Sequence, residues 1–383
     1  MEKFVCPICG NEDLIKTGIK NGVRYCRACI SFGVKEEKIT KNVFGKKKAP
    51  IFLSYELSKE QKEISNKLIE NYNNKINSLV YAVCGAGKTE IVLNIISKVI
   101  ESGGNVAFAI PRKDVVIEIG ERFQSIFKEN TVVALHGGNT KEKFGDIICL
   151  TTHQLYRYEK YFDLIIIDEI DAFPYKDNSV LESFFKSALI GNYIQMSATP
   201  SEEVLKIFSQ EGYAILKLLT RFHRHPLPVP KVIKGNDVVL FVRLYLLLKR
   251  FKKEKKPVFV FCPSIAICEK YGSIFSMLIS SVNYVHSKRE DRLKMVKDFK
   301  KKKIDILFTT SILERGVTVS NLQVIVIKAD SRVFTSYALI QIAGRVGRKK
   351  DCPTGEVYFM CKEENDEIRK SIREIVDANK SLC

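Results

Sequence analysis

Residues 82–89 read AVCGAGKT, and the rest of the chain is interpreted from this stretch. Apolar residues 79–81 precede it, and apolar residues recur at helical spacing over 91–99 behind it. That order predicts a strand, a tight glycine-containing loop and a helix, which is the arrangement of a nucleoside triphosphate site. A glycine-rich turn alone is weaker evidence, and Ala82 stands where such a loop usually has its first glycine.

The predicted loop offers the groups that a bound triphosphate requires. Backbone N–H groups of the loop and of the helix start face the phosphates, Lys88 reaches the outer phosphates, and Thr89 ligates magnesium. The residues assigned to ATP binding here are Gly85, Ala86, Gly87, Lys88 and Thr89.

A second stretch, LIIIDEID at 164–171, reads as a buried strand that ends in carboxylates. We expect Asp168 to hold Mg²⁺ together with Thr89, and Glu169 to polarise the attacking water. Lys88, Asp168 and Glu169 are therefore catalytic candidates. Together the two stretches indicate an ATPase.

Composition limits the class of protein. The 383 residues are 45% hydrophobic and 28% charged, which is typical of a globular chain of two or three domains. Lys and Arg outnumber Asp and Glu by 62 to 44, and the net charge of +18 favours a polyanionic partner, although surplus lysine also aids solubility. We see neither a run of 18 apolar residues nor a signal peptide, and several cysteines fall in apolar strands. These features predict a cytoplasmic protein.

Four cysteines near the start of the chain have the spacing of a zinc ribbon. The pairs Cys6/Cys9 and Cys26/Cys29 are separated by the 16 residues 10–25, so two knuckle turns can meet around one tetrahedral Zn²⁺. Disulfide pairing is the alternative, and a reducing compartment disfavours it. The sequence leaves open whether the ribbon contacts nucleic acid, docks a protein or is only structural.

Strand and helix patterns alternate in both halves of the chain, which predicts an α/β protein with parallel sheets covered by helices on both faces. The predicted organisation is a four-cysteine ribbon at 1–34, a basic linker at 35–50, a first domain at 51–220 and a second domain at 221–383. The proline-containing segment 221–231 reads as an extended connection.

Loops that follow the predicted strands carry groups suited to a phosphodiester backbone. In the first domain the candidates for nucleic-acid binding are Pro111, Arg112, Thr151, Thr152 and His153. In the second domain they are Thr309, Thr310 and Arg315. A helix cap is the simpler explanation for the first threonine pair, and a helix start for the proline.

Residues 341–348 read QIAGRVGR and predict a helix with Arg345 and Arg348 on one face. From there the two guanidinium groups can stabilise a transferring phosphoryl group as arginine fingers. Gln341 and Gly316 are assigned to nucleotide binding as well. Hydrolysis is then expected to need both domains closed together.

Gln61 follows Ser58 by three residues at the start of a predicted helix, so a capping box explains it. Its amide can also read the adenine edge with a donor and an acceptor. Gln61, the phosphate loop, 168–171, 197–200 and 341–348 match motifs Q, I, II, III and VI, so the chain resembles the motor core of superfamily 2 helicases. The resemblance implies two tandem RecA-like domains that use ATP and Mg²⁺.

A narrower resemblance covers nearly the whole chain. The stretches TTHQL at 151–155, DEIDAFPY at 168–175, PLPVPK at 226–231 and ILERGVT at 312–318, with the four-cysteine ribbon, are similar to the ComFA family of late competence ATPases. That resemblance implies a single-stranded DNA translocase that draws in transforming DNA at the cytoplasmic face of the uptake channel. It also implies ComEC and ComFC as neighbours, with membrane association only through partners.

Three alternatives stay open. A duplex-unwinding helicase of the PriA type has similar loops and cysteine pairs, but no insertion large enough for a wedge is visible. An RNA helicase would be separated from a DNA translocase by its response to RNA. A zinc-ribbon scaffold with a vestigial motor is disfavoured, because Lys88, Asp168, Glu169, Arg345 and Arg348 are all present.

Overall fold

A computed structural model describes residues 4–30, 38–41, 45–83, 85–139, 141–171, 174–175, 178–221, 225–310, 319–349 and 351–380. The chain divides into two compact units, one formed by 1–83 with 87–218 and the other by 84–86 with 219–383. Each contains a parallel sheet with helices, and the first also carries the four-cysteine segment. The structure therefore confirms the predicted fold class.

The first unit contains eleven described strands and six described α-helices. The strands are β1 (Thr17–Lys20), β2 (Val23–Cys26), β3 (Ile39–Thr40), β4 (Ser78–Ala82), β5 (Val106–Ile110), β6 (Val132–Leu135), β7 (Ile147–Thr151), β8 (Tyr158–Glu159), β9 (Phe162–Asp168), β10 (Leu189–Ser197) and β11 (Ala214–Leu218). The helices are α1 (Lys59–Asn73), α2 (Lys88–Ile91), α3 (Leu93–Glu101), α4 (Lys113–Ile126), α5 (Ser179–Ala188) and α6 (Glu202–Gln210).

A seven-stranded parallel sheet forms the centre of this unit, in the order β11-β4-β10-β9-β5-β7-β6. Every residue of β5 and β7 is buried, as expected for strands covered on both faces. Because all seven strands run in one direction, their carboxyl ends share one edge, and the loops there carry the predicted site residues.

The four-cysteine segment packs on the first unit. Its hairpin pairs β1 with β2 in antiparallel register, from Thr17 opposite Cys26 to Lys20 opposite Val23. The four cysteines belong to the same buried cluster as Leu181 of α5. The ribbon and this helix therefore share one hydrophobic core.

The described part of the predicted linker also lies against the first unit. β3 pairs with β8 in parallel, and the ammonium group of Lys41 bonds both carboxylate oxygens of Asp163 at 2.7 Å. Lys47 pairs with the carboxylate of Asp146 at 2.7 Å. These basic residues thus serve as local anchors.

The second unit contains six described strands and five described helices. They are β12 (Lys231–Lys234), α7 (Asp237–Lys253), β13 (Val258–Phe261), α8 (Ile265–Leu278), β14 (Val282–Val285), α9 (Arg292–Lys300), β15 (Ile306–Thr309), β16 (Gln323–Ile327), α10 (Ser336–Ala343), β17 (Val357–Cys361) and α11 (Asp366–Lys380). The strands form one parallel sheet in the order β12-β17-β16-β13-β15-β14. Two buried clusters of apolar residues involve its strands and helices.

The proline-containing connection is not helical over its described part, 225–230, as predicted. It is nevertheless held in place, because Asn379 of α11 accepts a hydrogen bond from the N–H of Leu227 at 2.8 Å and donates one to its carbonyl at 2.9 Å. The side chain of Leu227 is buried in the core of the second unit. This segment is therefore part of the second unit's packing.

Candidate functional site

The phosphate loop connects β4 to α2 by a turn that suits glycine. Gly85 and Gly87 have φ values of 85° and 82°, in the left-handed region that side chains disfavour. A Cβ atom at position 87 would also collide with the amide nitrogen of Gln61. Helix α2 begins at Lys88 directly after this turn, so the strand, loop and helix follow in the predicted order. Ala86 is buried.

Gln61 caps the helix on which it lies. Its side-chain oxygen accepts a hydrogen bond from the N–H of Ser58 at 2.9 Å, and the Ser58 hydroxyl accepts one from the N–H of Gln61 at 3.2 Å. This is the reciprocal capping box that the sequence predicted. The Gln61 amide nitrogen also lies beside Gly87. Contact of Gln61 with adenine stays a prediction.

Two carboxylates stand at the end of β9, as predicted. The Nζ atom of Lys88 lies 3.8 Å from Oδ1 of Asp168, and the N–H of Glu169 donates to the same oxygen at 2.8 Å. Burial raises the pKa of Asp168, Lys88 opposes that shift, and the carboxylates of Glu169 and Asp171 reinforce it. A carboxylate in these surroundings would be stabilised by a further cation such as Mg²⁺. Coordination of that ion by Asp168 and Thr89 stays a prediction.

Glu169 has an unusual backbone conformation. Its φ is 59°, which costs a residue with a side chain about 1 to 3 kcal/mol and persists only where the surroundings enforce it. The N–H of the next residue, Ile170, donates to the carbonyl of Met196 on β10 at 3.4 Å. The turn that carries Glu169 is therefore fixed to the neighbouring strand, as a positioned catalytic carboxylate requires.

Asp171 links the acidic turn to the end of β10. Its carboxylate accepts hydrogen bonds from the hydroxyls of Ser197 at 2.9 Å and Thr199 at 3.1 Å. The Ser197 hydroxyl also accepts a hydrogen bond from the N–H of Thr199 at 2.9 Å. Sequence reasoning placed these residues in motifs but gave them no individual role. The available signal was the pairing of a third acid in 168–171 with two hydroxyls in 197–200.

A second network that sequence reasoning missed lies beside the phosphate loop. Glu90 follows Thr89 in α2, and its carboxylate accepts hydrogen bonds from the Tyr55 hydroxyl at 2.9 Å and from the Arg122 guanidinium. Arg122 also donates to the Tyr55 hydroxyl at 3.1 Å. Because Arg122 belongs to α4, the network connects the phosphate-loop helix to the helix that begins after Arg112.

The predicted strand-binding loops of the first unit differ in exposure. Arg112 is partly accessible at the N-terminal end of α4, whereas Pro111, Thr151 and Thr152 are buried. The Thr151 hydroxyl lies 3.3 Å from Nε2 of His153. Burial, reinforced by the positive charge of Arg157, lowers the pKa of His153. Contact of these residues with nucleic acid stays a prediction.

The corresponding residues of the second unit are only partly described. Thr309 is buried at the end of β15 and its hydroxyl donates to the carbonyl of Thr310 at 3.1 Å. Thr310 is partly accessible. Arg315 and Gly316 lie outside the described residues, and Gln341 is buried on α10. Their assignments stay predictions.

The prediction that Arg345 and Arg348 lie on a helix is wrong. Helix α10 ends at Ala343 with Gly344 as its C-cap, and Gly347 has a φ of 68°, so both arginines lie on the turn that follows. Gly347 tolerates the left-handed conformation of this turn, whereas the C-cap Gly344 stays in the right-handed region with a φ of −63°. Arg345 is 2% exposed, whereas Arg348 is partly exposed and its Nε donates to the Gly344 carbonyl at 3.0 Å.

The four ribbon cysteines form a compact sulfur cluster. The Sγ atoms of Cys6 and Cys29 are 3.6 Å apart, those of Cys9 and Cys26 are 3.7 Å apart, and all four lie within 4.8 Å of one another. A tetrahedral ion with Zn–S bonds of about 2.3 Å places its sulfurs about 3.8 Å apart. All four cysteines are free thiols, so the donor set fits zinc and not two disulfides.

Burial disfavours the ionised form of the ribbon thiols unless a cation is present. Burial raises the pKa of Cys9 to about 11 and that of Cys29 well above its ordinary range. Burial acts in the same direction on Cys26, but hydrogen bonds from the N–H groups of Cys29 and Ala28 lower its pKa overall. Four thiolates in one buried cluster require a cation, which zinc would supply.

The part of the chain that the structure describes contains no helix with the length and apolar character that a membrane span requires.

Each of the two units contains a segment that matches a known protein family. Residues 54–202 match the family described as type III restriction enzyme, res subunit, and residues 240–350 match the helicase conserved C-terminal domain. The first match contains the phosphate loop and the acidic turn, and the second contains Arg345 and Arg348.

Individual proteins are similar over nearly the full chain. Competence protein ComFA of Bacillus subtilis is 34% identical over 93% of this chain and 81% of its own length. Competence protein ComFA of Streptococcus pneumoniae is 35% identical over 99% of this chain and 91% of its own length. The solved structure of S. cerevisiae Dbp5 bound to RNA and ADP BeF3 has a TM-score of 0.62 and 16% identity, covering 84% of this chain and 92% of that one. This last similarity concerns the fold alone.

Proposed function

Since the chain belongs to the ComFA family of competence proteins, we propose that it is an ATP-driven motor that moves single-stranded DNA during natural transformation. The two family domains that it matches indicate a superfamily 2 helicase-like ATPase. The translocation of transforming DNA across the cytoplasmic membrane is the specific activity that we propose.

The observation that carries this proposal is the proximity of Lys88 and Asp168, whose Nζ and Oδ1 atoms are 3.8 Å apart where the phosphate loop meets the end of β9. We assign Gly85 to Thr89 to the phosphates and Gln61 to adenine. Mg²⁺, held by Thr89 and Asp168, would neutralise charge on the phosphates. Glu169, held at positive φ beside it, orients the attacking water.

The second unit supplies the remaining cations in this proposal. Arg345 and Arg348 stabilise the negative charge that develops on the transferring phosphoryl group. Gln341 and Gly316 contribute to nucleotide binding. Hydrolysis in this proposal therefore depends on residues of both units, since Lys88 and the acid pair belong to the first and Arg345 and Arg348 to the second.

The proposed DNA contacts come from loops at the carboxyl ends of strands. We assign Pro111, Arg112, Thr151, Thr152 and His153 to one grip and Thr309, Thr310 and Arg315 to the other. The chain's net charge of +18 suits a polyanion. The buried hydroxyl of Thr152 has no hydrogen-bond partner among the described residues, so a phosphate oxygen or a water molecule would satisfy it.

We further propose that the protein acts at the inner face of the membrane beside the ComEC channel and ComFC. It has no described helix able to span a membrane, so association there would go through these partners. The ribbon binds zinc through Cys6, Cys9, Cys26 and Cys29 in this proposal.

ATP hydrolysis by the purified, zinc-loaded protein is the test. It is measured without nucleic acid and with equal nucleotide concentrations of single-stranded DNA, duplex DNA or single-stranded RNA. We expect strong stimulation by single-stranded DNA, followed by displacement of a bound block from a strand end when ATP is present. Greater stimulation by duplex or by RNA would replace the proposal with a helicase of that substrate, and absence of hydrolysis throughout would replace it with a scaffold.

A further inference from the structure

Arg221 is a buried cation at the start of the connection that follows β11. It is 2% exposed and lies three residues beyond Leu218, where that strand ends. Its Nη1 atom donates to the carbonyls of Val346 and Gly347, both at 3.0 Å, and its Nη2 atom donates to the carbonyl of Gly344 at 3.2 Å. One guanidinium group therefore holds three main-chain carbonyls.

Those carbonyls belong to the turn that carries the two arginines assigned to phosphoryl transfer. Helix α10 ends at Ala343, so the turn has left the regular hydrogen-bonding pattern of the helix. Residues 341–347 are all buried, and buried carbonyls need donors. A planar guanidinium at a helix C-terminus meets this need with several fixed N–H groups and a favourable charge.

The same guanidinium is linked to Arg348 through a shared acceptor. The Gly344 carbonyl accepts from Nη2 of Arg221 and also from Nε of Arg348, at 3.2 Å and 3.0 Å. Gly347 leaves room for this arrangement, because a Cβ atom there would lie 3.2 Å from Nη1 of Arg221 and would collide with the Pro353 carbonyl. The turn is thus built around the Arg221 side chain.

We propose that Arg221 is a positioning residue that sets the orientation of Arg345 and Arg348 for phosphoryl transfer. It acts through the main chain of the turn, and its Nε atom also lies beside Gly85, where an added Cβ atom would be 3.5 Å away. Arg221 follows the end of β11 at Leu218 by three residues, so it is also close in the chain to the last strand of the first unit. This inference rests on the proposed ATPase function and adds a residue to its machinery.

The test compares Arg221→Gln, Arg221→Lys and a matched control in the full-length zinc-loaded protein. The control is Arg250→Gln, which removes a partly buried guanidinium of the second unit that donates to Glu356 at 2.7 Å. Steady-state ATPase with saturating single-stranded DNA gives kcat and KM. Binding of a non-hydrolysable ATP analogue and of ADP with aluminium fluoride is measured on the same variants.

We expect Arg221→Gln to lower kcat by about ten- to a hundredfold, the scale on which a small misplacement of a catalytic group acts, while KM changes little. Affinity for ADP with aluminium fluoride should fall in proportion, while affinity for the ATP analogue is retained. Arg221→Lys keeps the charge but not the planar fork, so it should recover only part of kcat. Arg250→Gln should leave kcat unchanged.

Two further measurements separate failure of this inference from failure of the proposed function. Amide hydrogen exchange at 344–348 needs no hydrolysis, and it should accelerate in Arg221→Gln but not in Arg250→Gln. Arg221→Gln combined with Arg348→Ala should be less than additive in kcat if both act through the turn. Active wild-type protein with an unchanged kcat in both Arg221 variants overturns the inference. Inactive wild-type protein overturns the proposed function. In that case the rate of amide hydrogen exchange at 344–348 in Arg221→Gln is the measurement that decides whether Arg221 positions the turn.

Discussion

The hydroxyl of Ser197 donates a hydrogen bond to Oδ1 of Asp171 at 2.9 Å, which ties the end of β10 to the turn that carries Asp168 and Glu169, the proposed catalytic acids. The Thr199 hydroxyl donates to the other oxygen of the same carboxylate at 3.1 Å. Two hydrogen bonds therefore hold the loop after β10 against the acidic turn. A change of shape at Glu169 can reach that loop through Asp171.

Asp171→Ala removes this connection. It leaves the hydroxyls of Ser197 and Thr199 without their carboxylate acceptor, so we expect the free energy of unfolding to fall by about 2 kcal/mol or more. We also expect the ratio of ATPase rates with and without single-stranded DNA to decrease. Ser201→Ala is the control, because it removes only the N-cap of the adjacent α6 and should cost about 1 kcal/mol with the ratio unchanged. An unaltered ratio in Asp171→Ala would exclude a coupling role.

The sequence predicted those parts of the site whose residues are close together in the chain. The strand, loop and helix around 82–89 and the acidic end of β9 depend on neighbouring residues, so local pattern was sufficient. The parallel direction of the strands in both sheets follows from alternating strands and helices, whereas their order in each sheet does not. Boundaries were less certain, since α10 ends at Ala343 and the helical pattern does not reveal that Gly347, four residues later, has a positive φ.

Long-range contacts were out of reach of that reasoning. Arg221 and the carbonyl of Gly347 are 126 positions apart in the chain, and neither residue type states its partner. Packing of the four-cysteine ribbon on α5 likewise depends on the tertiary structure. Contacts of this kind depend on how sheet edges and helix faces pack in three dimensions. A single sequence indicates which residues are buried but not which residues they contact.

Lys88→Ala should abolish hydrolysis while single-stranded DNA binding is retained. The Lys88 ammonium is the cation nearest to Asp168 in the described structure of the phosphate loop, at 3.8 Å, and it is assigned to the outer phosphates of ATP. We expect kcat to fall at least about a hundredfold. Fluorescence anisotropy with a labelled oligothymidine measures DNA binding on the same preparation. Preserved turnover in this variant would refute the location of the nucleotide site.

Asp168→Asn should stabilise the nucleotide-free protein while it removes activity. Burial and the neighbouring carboxylates of Glu169 and Asp171 raise the pKa of Asp168. A carboxyl group with a raised folded-state pKa makes its full contribution to stability below its unfolded pKa, and that contribution is lost as pH rises through the folded value. At pH 7 an ionised Asp168 is therefore unfavourable, and the neutral amide should add about 1 kcal/mol to the unfolding free energy.

Thermal melting at pH 7 and at pH 4 measures this difference, which should shrink at the lower pH because the wild-type carboxyl becomes neutral. Asp237→Asn is the control, because a hydrogen bond from Lys362 lowers the pKa of Asp237. Replacing this carboxylate should therefore not raise the melting temperature at pH 7. Saturating Mg-ATP should raise the melting temperature of the wild type more than that of Asp168→Asn. Lower stability of Asp168→Asn than of the wild type at pH 7 would contradict the prediction.

Cys26→Ser should remove zinc and weaken the first unit beyond the ribbon itself. The four thiols form one cluster, with the Cys9 and Cys26 sulfurs 3.7 Å apart, so the loss of one ligand opens the tetrahedral site. Because the cysteines share a buried core with Leu181 and Phe184 of α5, the destabilisation should extend to that helix. We expect bound zinc to fall from about one ion per chain to a small fraction, with faster amide exchange over 179–188.

Cys352→Ser is the matched control, because this cysteine lies in the second unit and is only partly buried. It should retain zinc and normal exchange in α5. Chelation of zinc from the wild type should reproduce the effect of Cys26→Ser on 179–188, since both remove the same ion. If Cys26→Ser loses zinc while exchange over 179–188 stays at the wild-type rate, the ribbon does not support α5, and its packing there contributes little to the stability of the first unit.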